Sequence, residues 1–171
     1  MKNRIIIFGG LGFLGLKLSN KLCQLGFDTI VVDMSHYRLD LNKKVKHIQI
    51  DVTKNSIEEF LEIKKHDIFI NLASRQYHNK IPYFRRQQWF DELNLNVSKK
   101  TIQLAVRKEI DGYIFFSTDM VYGIPQGNKI NETQKLNPIG EYGKSKLKAE
   151  NELKNISKNK IPLTIFRPRL I

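Results

Sequence analysis

A chain of 171 residues is long enough for one domain with a full core and too short for two large ones. Its hydrophobic content of 41% argues against disorder, and no apolar run approaches the ~18–20 residues of a membrane span. The net charge of +12, from 29 Lys and Arg against 17 Asp and Glu, is scattered along helical faces rather than gathered, so no nucleic-acid partner is expected.

Residues 4–9 (Arg4, Ile5-Ile6-Ile7-Phe8, Gly9) are continuously apolar and predict a first strand buried on both faces. That run is too short, and lacks the small-residue cleavage site, for a signal peptide, so the expected compartment is the cytoplasm. Residues 13–26 predict a helix with Leu14, Leu18, Leu22 and Leu25 on its inner face, stopped by Gly26. Cys23 falls in that pattern and reads as a small buried hydrophobe. Strands follow at 29–32 and 46–50, and a short helix at 56–65 with Ile57, Phe60 and Leu61 facing inward. A fourth strand is predicted at 67–72. Residues 74–84 are irregular, with Pro82 among them. A long helix at 87–108 has Phe90, Leu93, Val97, Leu104 and Ala105 as core contacts. A fifth strand at 113–117, a polar loop at 123–138, a helix at 141–157 and a sixth strand at 163–166 complete the order. Strands alternating with helices predict an α/β domain over 1–171, a doubly wound parallel sheet of about six strands, the Rossmann fold. His36, His47, His66 and His78 lack metal-ligand spacing, and no metal is expected.

Gly9-Gly10-Leu11-Gly12-Phe13-Leu14-Gly15 places Gly-x-x-Gly-x-x-Gly between the first strand and the first helix. Gly9 permits the tight turn, Gly12 lets backbone approach a pyrophosphate, and Gly15 lets the helix pack closely. The helix N-terminus presents free N–H groups and the positive end of its dipole to phosphate. Asp33 ends the second strand eighteen residues after Gly15. A carboxylate there accepts hydrogen bonds from both adenosine ribose hydroxyls and repels a 2′-phosphate, which favours NAD, while nearby Arg38 leaves room for NADP.

These motifs occur in one order with Asp51-Val52, Asn71-Leu72-Ala73, Ser117-Thr118-Asp119-Met120-Val121-Tyr122-Gly123 and Tyr142-Gly143-Lys144-Ser145-Lys146. Together they resemble the extended short-chain dehydrogenase/reductases, in particular the NAD-dependent epimerase/dehydratase group that includes UDP-galactose 4-epimerase. The resemblance runs from Arg4 to Arg167-Pro168. It implies that the backbone of Phe13 and Leu14 holds the pyrophosphate, that Asp51 and Val52 hold the adenine, and that Leu72 and Ala73 line the adenosine side. It also implies that Asn96 is the Asn of the family's Asn-Val-x-Gly-Thr helix, although Lys99 and Lys100 replace the Gly and Thr. Pro168 and Arg169 then border the nicotinamide.

Tyr142 and Lys146 stand one turn apart on one helical face. A phenol titrates near ~10, and a neighbouring ammonium is expected to lower that value and make Tyr142 a usable base. Lys146 is also expected to reach the nicotinamide ribose, and Thr118 to bridge substrate and Tyr142. The mechanism implied is proton removal from a sugar hydroxyl with hydride leaving the same carbon, as in a nucleotide-sugar epimerase. Ser-Thr-Asp also resembles 4-keto-sugar reductases, the second reading, and a non-catalytic nucleotide-sensing Rossmann protein is a third. Met120 stands where 4,6-dehydratases have Glu, which disfavours dehydration; Asp119 either assists proton transfer or makes a structural hydrogen bond.

Within 74–89, Arg75, Tyr77, His78, Arg85, Arg86 and Trp89 are candidates to grip a substrate phosphate or sugar. The family places most substrate contacts in a C-terminal region of well over a hundred residues that this sequence lacks, so the chain is expected to be part of a longer protein and inactive alone. Family members dimerise through two helices per subunit, which here are 87–108 and 141–157, compatible with a homodimer.

Overall fold

The structure, a computed structural model, describes residues 3–77, 81–124 and 131–169. Six parallel strands form one sheet in the order β3-β2-β1-β4-β5-β6. They are β1 Arg4–Phe8, β2 Asp28–Asp33, β3 Lys46–Gln49, β4 Asp67–Asn71, β5 Gly112–Phe116 and β6 Leu163–Phe166. The most apolar strand, β1, lies centrally, with Ile6↔Ile30 on one side and Ile6↔Phe69 on the other. At its outer end Arg4 donates two hydrogen bonds to the buried Asp67 (2.8 and 2.7 Å), which fixes β1 against β4.

Helices cover both faces. Alternation sends Ile5 and Ile7 to one face, where Leu18 and Leu22 of α1 (Phe13–Gln24) pack on them. Ile6 and Phe8 point the other way, into the main core. That core is closed by Ile102, Leu104 and Ala105 of α3 (Ser98–Arg107) and by Ala149 and Leu153 of α4 (Glu141–Ser157). The strand order reverses between β1 and β4, and ligands of open α/β sheets bind at such a switch point, beyond the strand C-termini.

Several local expectations need correcting. Between β3 and β4 only Ile57–Glu59 is helical, closed by a capping box between Ser56 and Glu59, and Phe60 is half exposed rather than inward. After that turn the chain runs on to the entry of β4, where the Lys64 N–H donates to the Asp67 carboxylate (2.8 Å). On α1, Leu25 lies past the last helical residue and is exposed; Gly15, Leu16 and Ser19 are the most buried positions. Cys23 is only partly buried, against Leu16 and Val31. The long helix is three pieces: α2 Arg86–Asp91, a π-helical stretch Glu92–Val97, and α3.

Candidate active site

A cleft of about 680 Å³ opens at the C-terminal ends of β1, β4, β5 and β6. Its lining joins Gly9, Gly12, Phe13, Leu14, Gly15 and Leu72 to Thr118, Asp119, Tyr142, Lys146 and Pro168. The two motif groups read from the sequence therefore share one cavity. Ser74, Gln76, Phe116, Ser117, Met120 and Arg169 complete it. Of these, Gln76 and Phe116 carry no sequence signal beyond standing near a motif, and Ser117 belongs to the Ser-Thr-Asp motif.

The three glycines have distinct geometry. Gly9 has φ +76° and its N–H donates to Val32 O (2.8 Å), closing the turn onto β2. A Cβ on Gly15 would lie 2.4 Å from Gly9 O and 2.7 Å from the Cα of Gly10, so this glycine packs on the turn itself. A Cβ on Gly12 would meet only Gly9 O at 3.4 Å and would otherwise project into open space. Gly12 is also the N-cap of α1, gives the first turn no side-chain hydrogen bond, and is followed by no acid there. The unpartnered donors and dipole of that terminus thus face the cleft without a competing anion of the protein.

Asp33 accepts hydrogen bonds from the N–H groups of Leu11 (3.0 Å) and Ser35 (2.9 Å). Its immediate role is to hold the glycine turn, and lone pairs remain for a further donor. Asp51 accepts from the Thr53 amide and hydroxyl, and this bonding is the main cause that holds its carboxyl below the ordinary value. Neither carboxylate lines the cleft. Val52 lines a separate depression of about 410 Å³ with Phe8, Val97 and Thr101, and Ala73 packs against the main core.

Asn96 is exposed and lines neither cavity. The buried asparagine is Asn94, two residues earlier. Its Oδ1 accepts from the Arg75 N–H (2.8 Å), while its Nδ2 donates to Arg75 O (3.0 Å) and to Ser145 Oγ (2.9 Å). The π turn places it there: inserting a residue rotates the upstream part of the helix, an effect that regular 3.6-residue counting cannot register. Asn94 ties the cleft-lining segment around Ser74 to α4 beside Lys146.

Most of the expected substrate-gripping side chains are already engaged. Arg75 bonds Trp89 O and Glu92 (2.6 and 2.5 Å) and stacks over the Trp89 ring. Tyr77 donates to Glu141 (3.1 Å) and packs edge-on to Tyr142, and Arg86 lies 3.6 Å from Glu141. Arg85 takes a left-handed conformation where α2 begins. His78 lies outside the described residues.

Thr118 follows β5 and caps the 3-10 turn Asp119–Tyr122 through the Met120 N–H (3.3 Å). Tyr142 is nine-tenths buried, and burial pushes its phenol above the ordinary value against the lowering effect of the Ser74 and Thr118 hydroxyls. This overturns the expectation that Lys146 lowers it. The Lys146 ammonium instead donates to Phe116 O (2.7 Å) and sits over the Phe115 ring. Burial brings Lys146 down to about 7, opposed by the charge of Glu150. A lysine directed at a strand carbonyl has spent its charge on the fold, and the phenol responds mainly to its own desolvation.

Comparisons with known proteins give the family and the fold. Residues 5–171 match the family described as NAD dependent epimerase/dehydratase. A putative UDP-glucose 4-epimerase of Methanocaldococcus jannaschii is 24% identical over 88% of this chain and 50% of its own length. A dTDP-D-glucose 4,6-dehydratase of Dictyostelium discoideum is 28% identical over 96% of this chain and 43% of its own. The chain thus spans about half the length of the curated relatives it matches. In fold, it superposes on a UDP-glucuronic acid 4-epimerase of Bacillus cereus, solved in complex with NAD, with a TM-score of 0.82 at 22% identity; 97% of this chain and 56% of that one are covered.

Proposed function

The chain belongs to the NAD dependent epimerase/dehydratase family, and we propose from that premise that it is the NAD-binding part of a nucleotide-sugar epimerase whose proton-transfer group is Tyr142. One observation carries the reading: the glycine turn and the Thr118, Tyr142 and Lys146 group line the same cleft at the switch point of the sheet. The residues fit a dinucleotide. Open space over Gly12 and the bare α1 N-terminus suit a pyrophosphate, held by the N–H groups of Phe13 and Leu14. Asp33 has acceptor capacity for a ribose, and Arg38 is committed to Asp40 (2.8 Å), which supports NAD over NADP. Pro168 borders the other end of the cleft. Asp51, Val52 and Ala73 stand around this site without lining the cleft and are assigned to the adenine end.

A nicotinamide dinucleotide bound there supplies hydride acceptance from a sugar carbon and, in an epimerase, its return to the opposite face. The protein's own part is to place the sugar hydroxyl against Tyr142 and Thr118 and to move one proton at the phenol oxygen. The raised phenol is protonated at neutral pH, the form that donates to a keto oxygen. Donation at that oxygen is shared by the second reading, a 4-keto-nucleotide-sugar reductase. Met120 lines the cleft beside Asp119, and its thioether transfers no proton, so 4,6-dehydration is not proposed.

The test has two parts. NAD titrated into the chain should bind, and Gly12→Ala should abolish binding. The longer polypeptide should then turn over nucleotide sugars, with Tyr142→Phe losing turnover but not NAD affinity. Turnover unchanged in Tyr142→Phe refutes the assignment and favours a nucleotide-sensing protein.

A further inference from the structure

Beneath the cleft lies a buried ion pair that the reading above does not use. Glu150 is fully buried on α4, one turn beyond Lys146. Arg167, directly after β6, grips it in a two-pronged pair (Nε–Oε1 2.9 Å, Nη2–Oε2 2.6 Å). The third guanidinium nitrogen donates to Tyr122 Oη (2.9 Å), and the guanidinium also stacks on the Tyr122 ring. One arginine therefore touches three elements, and each carries a wall of the cleft: α4 with Tyr142 and Lys146, the 3-10 turn with Thr118 and Asp119, and the segment with Pro168 and Arg169. The last two are joined directly, since the Asp119 N–H donates to Pro168 O (3.1 Å).

We propose that Glu150 and Arg167 are positioning residues, whose buried pair locks the three walls of the cleft together and holds a carboxylate one turn from Lys146. Desolvating both charges is costly unless geometry and further hydrogen bonds compensate, and here the fork, Tyr122 and Lys154 (3.5 Å from Glu150) supply that. A planar five-donor group suits this junction; a lysine's compact ammonium lacks the fork that matches both carboxylate oxygens. The charged and titratable groups around the pair are Lys146 and Lys154 on α4 and Tyr122 on the turn, with Tyr142, Asp119 and Arg169 along the cleft. Among charged groups, Glu150 is the one that acts on Lys146.

The inference rests on the assignment of Tyr142 and Lys146 to the active site, but its test requires no cofactor and reads out separately. In the purified chain carrying ¹³C-labelled lysine, the Lys146 signal is assigned by its loss in Lys146→Arg and titrated with pH. Glu150→Gln keeps shape and removes the carboxylate charge, and should lower the Lys146 midpoint by roughly half a pH unit or more; Glu150→Asp should recover most of it. An unchanged midpoint in folded Glu150→Gln overturns the electrostatic half. Arg167→Lys keeps the charge and loses the fork. Hydrogen exchange at the Asp119 amide should then accelerate about tenfold or more, while the Ile50 amide, bonded to Asp33 O at the other side of the sheet, stays unchanged. Equal protection at Asp119 overturns the locking role, as does a uniform loss at both amides. Should Glu150→Gln not fold, the Arg167→Lys exchange result decides the proposal alone. Failure of the unaltered chain to bind NAD bears on the proposed function and leaves both of these readouts intact.

Discussion

Adding one methyl group at Gly12 or at Gly15 separates binding from folding within a single turn. At Gly15 the new Cβ falls 2.4 Å from Gly9 O and 2.7 Å from Gly10 Cα, both backbone atoms of a turn held by the Gly9–Val32 bond. Overpacking of this kind costs about 1–3 kcal/mol. For a domain of this size each kcal/mol moves Tm by roughly 2–4 °C, so Gly15→Ala should melt about 4–8 °C lower at the middle of that range. At Gly12 the backbone (φ −68°, ψ 175°) suits alanine, and the Cβ meets nothing closer than 3.4 Å. Reduced freedom of the unfolded chain contributes about 0.4–1 kcal/mol in favour of alanine. Loss of a preferred N-cap residue offsets it by a similar amount, about 0.5–1 kcal/mol. Gly12→Ala should therefore melt within about 2 °C of the unaltered chain, yet lose measurable NAD binding because its methyl occupies the space over the helix terminus. Thermal melting by circular dichroism and calorimetric NAD titration read the two effects. The reasoning fails if Gly15→Ala melts no lower than the original, or if Gly12→Ala binds NAD with unchanged affinity.

Other outcomes follow from the same geometry. Asn94→Ala strands the part-buried Arg75 amide and carbonyl and the buried Ser145 hydroxyl, and should cost about 2–4 kcal/mol in urea unfolding, against less than about 0.5 kcal/mol for Asn96→Ala. Arg4→Met leaves the buried Asp67 without its cation and should cost about 3 kcal/mol, with a matching fall in Tm. For Lys146, the folded value of about 7 lies below the 10.5 of a free lysine. Between those values the unfolded chain holds more protons than the folded one, so this group makes the protein more stable as pH rises through that window. Lys146→Met should flatten that rise and raise Tm at pH 7; a steeper dependence on pH would contradict the burial argument.

How much was legible in the sequence depended on whether the information was local. β6 and α4 match their predicted spans because Pro162 and Gly140 punctuate apolar patterns that need no knowledge of partners. The shared cleft was also readable, since Gly-x-x-Gly-x-x-Gly, Thr118 and Tyr142 each follow or face a strand end. The 56–65 segment misled because Ile57, Phe60 and Leu61 follow a helical spacing, whereas only Ile57–Glu59 turns and Phe60 is left half exposed. Asn96 misled because a π turn leaves the amino-acid pattern helical while shifting which asparagine turns inward. Arg75 and Tyr77 misled because a cation or phenol near a cleft looks available until Glu92 or Glu141, distant in sequence, claims it. The phenol of Tyr142 was misjudged because spacing reveals which residues share a face and says nothing of how deeply that face is desolvated.

The central place of β1 has a consequence for how the protein is made. Its four apolar residues leave the ribosome some sixty residues before β4, which pairs with the strand residue for residue from Arg4↔Asp67 to Phe8↔Asn71. At about 5–20 residues per second, Ile5 to Phe8 wait on the order of 3–12 s for that partner. Throughout that interval a short, uncharged, β-prone segment has an unpaired edge, the feature that recruits other chains into aggregates. Slowing translation ahead of Asp67 should lower the soluble yield, and a chaperone that masks Ile5 to Phe8 should restore it.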